Sequence, residues 1–172
     1  MQIASPLDTR LSKTQVRAIA DSLHNDECGI AAMLGQMKQT DNPQVAYNAA
    51  WVLCHLSKDD KKIYLLPHYK ELADLATSAG LCFRRGLILA ILADLPTDEP
   101  NGKLLDFCLT HLAVPTENNS TRSVMIKLAA KMCKPYPELC EELMLCLDMI
   151  PQDSCPSVAA AKRNALKKIQ NK

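Results

Sequence analysis

The helical character of this chain is clearest in one stretch, Asp41-Asn42-Pro43-Gln44-Val45-Ala46-Tyr47-Asn48-Ala49-Ala50-Trp51-Val52-Leu53. Asp or Asn followed by Pro marks a helix start, because proline at the first helical position needs no amide donor. Apolar residues then recur three and four positions apart, the spacing of one helix face. The stretch predicts a short helix from Pro43 to about Ser57.

The same spacing recurs along the chain, and no segment alternates apolar and polar residues with the period of a strand. We therefore predict nine short helices: Ser12–His24, Asp26–Met37, Pro43–Ser57, Pro67–Ser78, Leu81–Leu95, Leu104–Leu112, Ser120–Cys133, Tyr136–Met149 and Pro156–Gln170. Ser12 and Asp26 are expected N-caps, and Gly80 is expected to end a helix. The predicted links are Thr40–Pro43, Lys58–Lys62, Pro96–Gly102, Pro115–Asn119 and Pro151–Asp153.

Apolar positions repeat at a longer period as well. Leu53, Leu92, Ala129 and Leu166 are separated by 39, 37 and 37 residues, and so are Leu56, Leu95, Met132 and Ile169. Two helices and two turns need about this length. The pattern predicts stacked helical hairpins, with Leu53, Leu56, Leu92 and Leu128 in the core.

The stretch from Asp41 to Leu53 resembles the second helix of HEAT repeats, written V-R-x-x-A-A-x-A-L-G-x-L after an Asp or Asn and often a Pro. It departs from that pattern at Ala46, where the family usually has Arg, and at Cys54, where it prefers Gly. Arg84 and Arg122 occupy the arginine-like position in later copies, whereas Ala159 does not.

The resemblance covers Asp26 to Gln170 and implies an all-α fold. That fold is a right-handed α-α superhelix of about four HEAT-like hairpins, with the helix Ser12–His24 as an N-terminal cap. We expect residues 1–172 to form a single domain of this kind.

Composition excludes several classes of protein. The formal charge of +1 gives no general attraction to nucleic acid or to anionic membranes. The longest apolar run, Leu87–Ala93, is too short to span a membrane, and the start Met1-Gln2-Ile3-Ala4-Ser5-Pro6 is not an apolar signal segment. We expect a cytoplasmic protein with reduced cysteines.

In HEAT repeats the second helices line a concave face that binds partners. The resemblance implies that this face presents Tyr47, Asn48, Trp51, Arg85, Ser123 and Lys127. Tyr47 and Trp51 share one face of a helix, and Tyr, Trp and Arg are common interface anchors. The alternative is that Trp51, the single tryptophan, is a core residue.

Arginines on these helices have two interpretations. Arg84, Arg85 and Arg122 could bind phosphate or carboxylate through paired hydrogen bonds. Alternatively, they form ion pairs between repeats with acids such as Asp94 or Asp106. The basic C-terminal helix, with Lys162, Arg163, Lys167 and Lys168, is interpreted as a solvated closing face.

The sequence has no Gly-rich phosphate loop, nucleophile elbow, Cys-x-x-Cys or His-x-x-x-His motif, so we predict no catalytic residue, metal or cofactor. The leading hypothesis is a non-enzymatic scaffold that binds a protein or peptide through Tyr47, Trp51, Arg84, Arg85, Arg122 and Lys127. The alternative is a DNA-binding or alkylated-base repair protein. The resemblance implies this alternative because one family of alkylated-base DNA glycosylases uses the same fold. A small enzyme with an unfamiliar site is the third hypothesis.

Overall fold

A computed structural model describes residues 6–39, 41–97, 99–152 and 154–170. The described part of the chain is helical and contains no strand. Its helices are α1 Lys13–Ser22, α2 Glu27–Lys38, α3 Pro43–Cys54, α4 Lys58–Asp60, α5 Tyr69–Thr77, α6 Arg85–Asp94, α7 Gly102–His111, α8 Asn119–Cys133, α9 Pro137–Asp148 and α10 Pro156–Gln170. Each of the nine predicted helices has its counterpart, and the short α4 is additional.

Helix starts follow the local chemistry of the sequence. Ser12 caps α1 as predicted, because its Oγ accepts from Gln15 N–H. The Gln15 Oε1 accepts from Ser12 N–H in turn, and the two bonds form a capping box. Asp26 caps α2 by accepting from Gly29 N–H at 3.0 Å. Asn42 caps α3 ahead of Pro43. These caps satisfy amide groups that the first turn of a helix leaves without partners.

The helices form two layers, in agreement with an α-α superhelix. The second helices of the hairpins, α3, α6, α8 and α10, pack one against the next and form what we term the second-helix layer. The first helices, α2, α5, α7 and α9, cover that layer from one side, and α1 packs on α3. The predicted core residues Leu53, Leu56, Leu92 and Leu128 are all buried. Buried side chains from Leu7 to Ile169 form one connected cluster.

The predicted links are confirmed where the structure describes them, with one exception. Thr40, Asp98 and Asp153, which belong to three of these links, lie outside the described residues. Gly80 has φ +77°, a left-handed conformation suited to the chain reversal after α5.

The prediction of a polar link at Lys58–Lys62 is wrong. Helix α4 leads into a π-helical turn, Lys61–Leu65, and a 3-10 turn, Leu66–His68, which joins α5. Pro67 lies inside this helical segment and has no amide hydrogen, so the regular series of backbone hydrogen bonds of the helix is interrupted there. The segment is not a solvated link, because Asp60 and Lys61 are both buried and paired.

Asp60 holds the turn between α1 and α2 against α4. Its carboxylate accepts bonds from His24 Nδ1 at 3.0 Å, Asn25 N–H at 3.2 Å and Ser57 Oγ at 2.6 Å. Asn25 has φ +59°, and this conformation directs its amide toward Asp60. Burial opposes ionisation of Asp60, but the three hydrogen bonds together leave its pKa below the ordinary value.

The bond to Asp60, supported by the charges of Asp60 and Asp59, raises the pKa of His24. The His24–Asp60 contribution to stability is therefore complete below the unfolded pKa of about 6.5 and is lost as pH rises through the folded pKa. We expect the wild type to melt at a higher temperature than His24→Gln. The difference between their melting temperatures should be larger at pH 6 than at pH 8. Measurement of both proteins by circular dichroism from pH 5.5 to 8.5 checks this, since the other three histidines are common to both. A difference that stays constant with pH would contradict the assignment.

Candidate functional site

A groove of about 1070 Å³ runs across the second-helix layer. We define the groove by its lining: Arg10, Leu11, Pro43, Gln44, Tyr47, Asn48, Trp51, Gly80, Leu81, Phe83, Arg84, Arg85, Gly86, Leu87, Ala90, Thr116, Glu117, Asn118, Ser120, Thr121 and Val124. Most of these belong to α3, α6 and α8 or to the segments just before them. The first turn of each of these three helices lines the groove.

An aromatic ridge on α3 forms one wall of the groove. The ring centroids of Tyr47 and Trp51 are 6.1 Å apart, and those of Trp51 and His55 are 6.2 Å apart in an edge-on arrangement. Trp51 is partly buried and packs against the core while its side chain also lines the groove. Trp51 therefore contacts the core, as one interpretation of the sequence predicts, and it also lines the surface groove.

Phe83 is the most exposed aromatic feature of the groove, with 79% of its side-chain surface open to solvent. It lies in the 3-10 turn Cys82–Arg84, directly before α6. Sequence reasoning did not select Phe83, because the pattern there predicts the start of a regular helix. With Tyr47 and Trp51, Phe83 gives the described lining of the groove three aromatic side chains.

The three arginines predicted to bind a partner all bond to backbone carbonyls at the ends of first helices. Arg84 Nη1 donates to Gln39 O, after α2, at 2.7 Å. Arg122 Nε donates to Leu112 O, after α7, at 2.9 Å. A cation at a helix C-terminus can donate hydrogen bonds to the free carbonyls, and it is stabilised by the negative end of the helix dipole.

Arg85 combines several contacts within the groove. Its Nε and Nη2 donate to Ala76 O at 3.1 Å and to Ser78 O at 2.7 Å, at the end of α5. Its guanidinium lies 5.1 Å from the centroid of the Phe107 ring, and its Nη1 is 3.8 Å from Glu117 Oε1. The Arg85 side chain remains 20% exposed, so part of it faces the groove.

The interpretation of these arginines as ion-pair partners between repeats holds for Arg85, which pairs with Glu117, but within the described chain none of them pairs with Asp94 or Asp106. Asp94 instead accepts from Lys61 Nζ at 2.8 Å and lies 3.4 Å from Lys127 Nζ. Burial of the Asp94 carboxylate opposes its ionisation, but the two lysines lower its pKa below the usual value. Arg85 begins α6 and Asp94 ends it, so these two residues lie at opposite ends of one helix.

Lys127 and Arg122 do not line the groove. Lys127 is exposed and lies beside Asp94, and Arg122 is only 5% exposed. Asn48, expected on the concave face, does reach the groove, but its amide is used by the protein itself. It donates to Leu7 O at 2.9 Å and to Thr9 O at 2.8 Å, which attaches the segment before α1 to α3.

The described lining of the groove contains few groups that transfer protons. Among the described residues, its lining includes one carboxylate, Glu117, and no histidine, cysteine or lysine that could transfer a proton or act as a nucleophile. Cys54 lies outside it, and burial raises the pKa of that thiol. Within the same described ranges, no three metal-ligating side chains are clustered. Every cysteine whose side chain is described is a free thiol.

Helices α6 and α8 approach each other closely at Gly86 and Thr121, two residues that line the groove. A Cβ atom at Gly86 would lie 2.7 Å from Thr121 Oγ1 and 3.6 Å from Thr121 Cβ. The first separation is a steric clash, whereas the second is a normal contact. Glycine at this position therefore lets the two helices approach each other.

Two kinds of comparison bear on the chain as a whole. A family model described as a HEAT repeat domain matches residues 3–169. No curated protein and no solved structure gives a significant match. No helix in the described residues combines the length and apolar character of a membrane span.

Because of the contact with Thr121, we expect Gly86→Ala to lower the free energy of unfolding by about 1 kcal/mol. In a Thr121→Ala background the clash is absent, and the same change should be neutral or stabilising. Gly35→Ala is the matched control, since nothing lies within 4 Å of a Cβ at Gly35 in α2. It should stabilise by about 0.5 kcal/mol or more. Urea denaturation of the wild type and the four variants checks this; equal effects of Gly86→Ala in both backgrounds would contradict the close approach.

Proposed function

We propose that this chain, which belongs to the HEAT repeat domain family, is a non-enzymatic scaffold whose groove binds a segment of a partner protein. One observation carries the proposal: partly buried Tyr47 and Trp51 line the same groove as the exposed ring of Phe83. Aromatic side chains supply large contact areas at low cost in conformational entropy, and they dominate the binding energy of interfaces.

The size and shape of the groove also support a peptide segment. A volume of about 1070 Å³ is at the upper end of the range for small-ligand pockets, and the groove extends across three helices. The groove is built on rigid, buried elements, because Val45, Ala49 and Val52 of α3 and Ile88 of α6 lie in the core beneath it. A preformed surface loses little free energy to ordering when a partner binds.

Among the residues predicted from the sequence, we propose Tyr47, Trp51 and Arg85 as contacts with the partner, and we add Phe83. Arg84 and Arg122 serve to hold helix ends, so their removal would act on the partner through the shape of the groove. The proposal treats residues 1–172 as one domain in the cytoplasm. Buried side chains from Leu7 to Ile169 form one cluster, which supports a single unit.

Phe83→Ala tests the proposal, since an exposed ring can be removed without a large effect on the core. We expect it to weaken the binding of at least one protein to the immobilised chain by about thirtyfold, because truncation of an interface aromatic typically costs about 2 kcal/mol. The measurement is affinity capture from a lysate of the source organism, quantified by mass spectrometry against the wild type.

Leu145→Ala is the matched control for this experiment. Leu145 is also apolar and 70% exposed, but it lies on α9, outside the groove. Its replacement should leave the captured proteins unchanged. Identical sets of proteins on the wild type and on Phe83→Ala would argue against the groove as the binding surface.

A further inference from the structure

The last helical hairpin, α9 and α10, leaves an apolar strip open to solvent. Leu145 of α9 and Met149, which directly follows that helix, are 70% and 72% exposed. They are four positions apart, so they share one side of the helix. Terminal hairpins of a helical stack normally present a polar face to water. An apolar strip at this end of the stack therefore indicates a surface that another molecule covers.

The opposite end of the stack is covered by the chain itself. Helix α1 packs on α3, and Leu7 and Leu11 of the segment before α1 are buried. Helix α9 packs on α7, α8 and α10. In the part of the chain that the structure describes, however, no element covers Leu145 or Met149. The two ends of the stack thus differ in how their apolar side chains are shielded from water.

The two helices of the last hairpin carry opposite charges. The charged residues of α9 are all acidic: Glu138, Glu141, Glu142 and Asp148. The charged residues of α10 are all basic: Lys162, Arg163, Lys167 and Lys168. One ion pair joins the two helices within the described ranges, with Lys162 Nζ at 3.8 Å from Asp148 Oδ1. The remaining acids and bases of this hairpin are exposed and form no ion pair there.

A surface with this division of charge is complementary to itself. In a symmetric pair of chains, a two-fold axis can set α9 of each copy against α10 of the other. Acids then face bases in both halves of the contact, whereas α9 against α9 would bring like charges together. Leu145 and Met149 would lose their contact with water against the short, partly buried side chains of Ala159 and Ala160 and the aliphatic stems of the lysines.

We propose that the chain forms a symmetric dimer in which the outer faces of α9 and α10 pack on α10 and α9 of a second copy. No residue of either helix lines the groove, so the dimer does not depend on the proposed function. The dimer carries two grooves, one in each copy. Since partner segments bind the groove of either form, Leu145→Ala should alter the capture of this chain alone.

Two charge-reversed variants of the full chain test the pairing of α9 with α10. The α9 variant carries Glu138→Lys, Glu141→Lys and Glu142→Lys, and the α10 variant carries Arg163→Glu, Lys167→Glu and Lys168→Glu. All six residues are exposed, so circular dichroism should show unchanged helix content. In sedimentation equilibrium at low salt, the wild type should have twice the 19.0 kDa mass of one chain. Each variant alone should dimerise about tenfold more weakly or worse, because like charges meet in both halves of its contact.

An equimolar mixture of the α9 and α10 variants should recover the dimer, because each reversed helix then faces a helix of opposite charge. The matched control variant carries Lys13→Glu, Arg17→Glu and Lys70→Glu, three exposed cations outside the last hairpin and the groove. It has the same net charge as the α10 variant but should dimerise like the wild type. Mixed with the α9 variant, it should not recruit that variant into dimers as the α10 variant does.

Three results would overturn the proposal. The first is a wild-type chain that remains a monomer up to about 200 µM at low salt, which would leave the strip to a different occupant. The second is a dimer that persists in the α9 variant or the α10 variant alone. The third is a pair of variants that each dissociate and fail to associate when mixed.

Discussion

The side-by-side packing of α3, α6 and α8 is the constraint on which the rest of the structure depends. Their shared face buries Val52, Leu53, Leu92 and Leu128, and Gly86 permits the approach of α6 to α8. Once these helices are stacked in the same orientation, their first turns must lie along one edge. The groove along these first turns follows from that arrangement.

Basic side chains are divided between the two ends of these helices. At the N-terminal edge, arginines that precede or begin a second helix bond the last carbonyls of the first helices, as Arg84 and Arg122 do. At the opposite edge, Lys131 donates to Ala93 O and Leu95 O at the end of α6, and burial lowers the pKa of its ammonium. These contacts satisfy carbonyls that helix ends leave free, so the cations stabilise the stack.

The repeat of Leu53, Leu92 and Ala129 was predictable from the sequence, because equivalent positions of stacked hairpins meet the same core. Helix caps such as Ser12 were predictable for a local reason. The burial of Asp60 and Lys61 was not, since their partners His24 and Asp94 are 36 and 33 residues away. The carbonyl partners of the arginines were missed likewise, because a sequence pattern does not show where a neighbouring helix ends. The exposure of Phe83 depends on a 3-10 turn that helical spacing does not reveal.

Nuclear magnetic resonance offers the most direct test of the claim that a partner lies across the second-helix layer. The chain has one tryptophan and five glycines, so the indole signal of Trp51 and the amide signals of Gly86 and Gly35 can be assigned readily in a ¹⁵N-labelled sample. On saturation with a segment of a captured partner protein, the account predicts that the Trp51 and Gly86 signals shift while the signal of Gly35, on α2, stays in place. A shift confined to Gly35 and α9, with Trp51 and Gly86 unchanged, would contradict it.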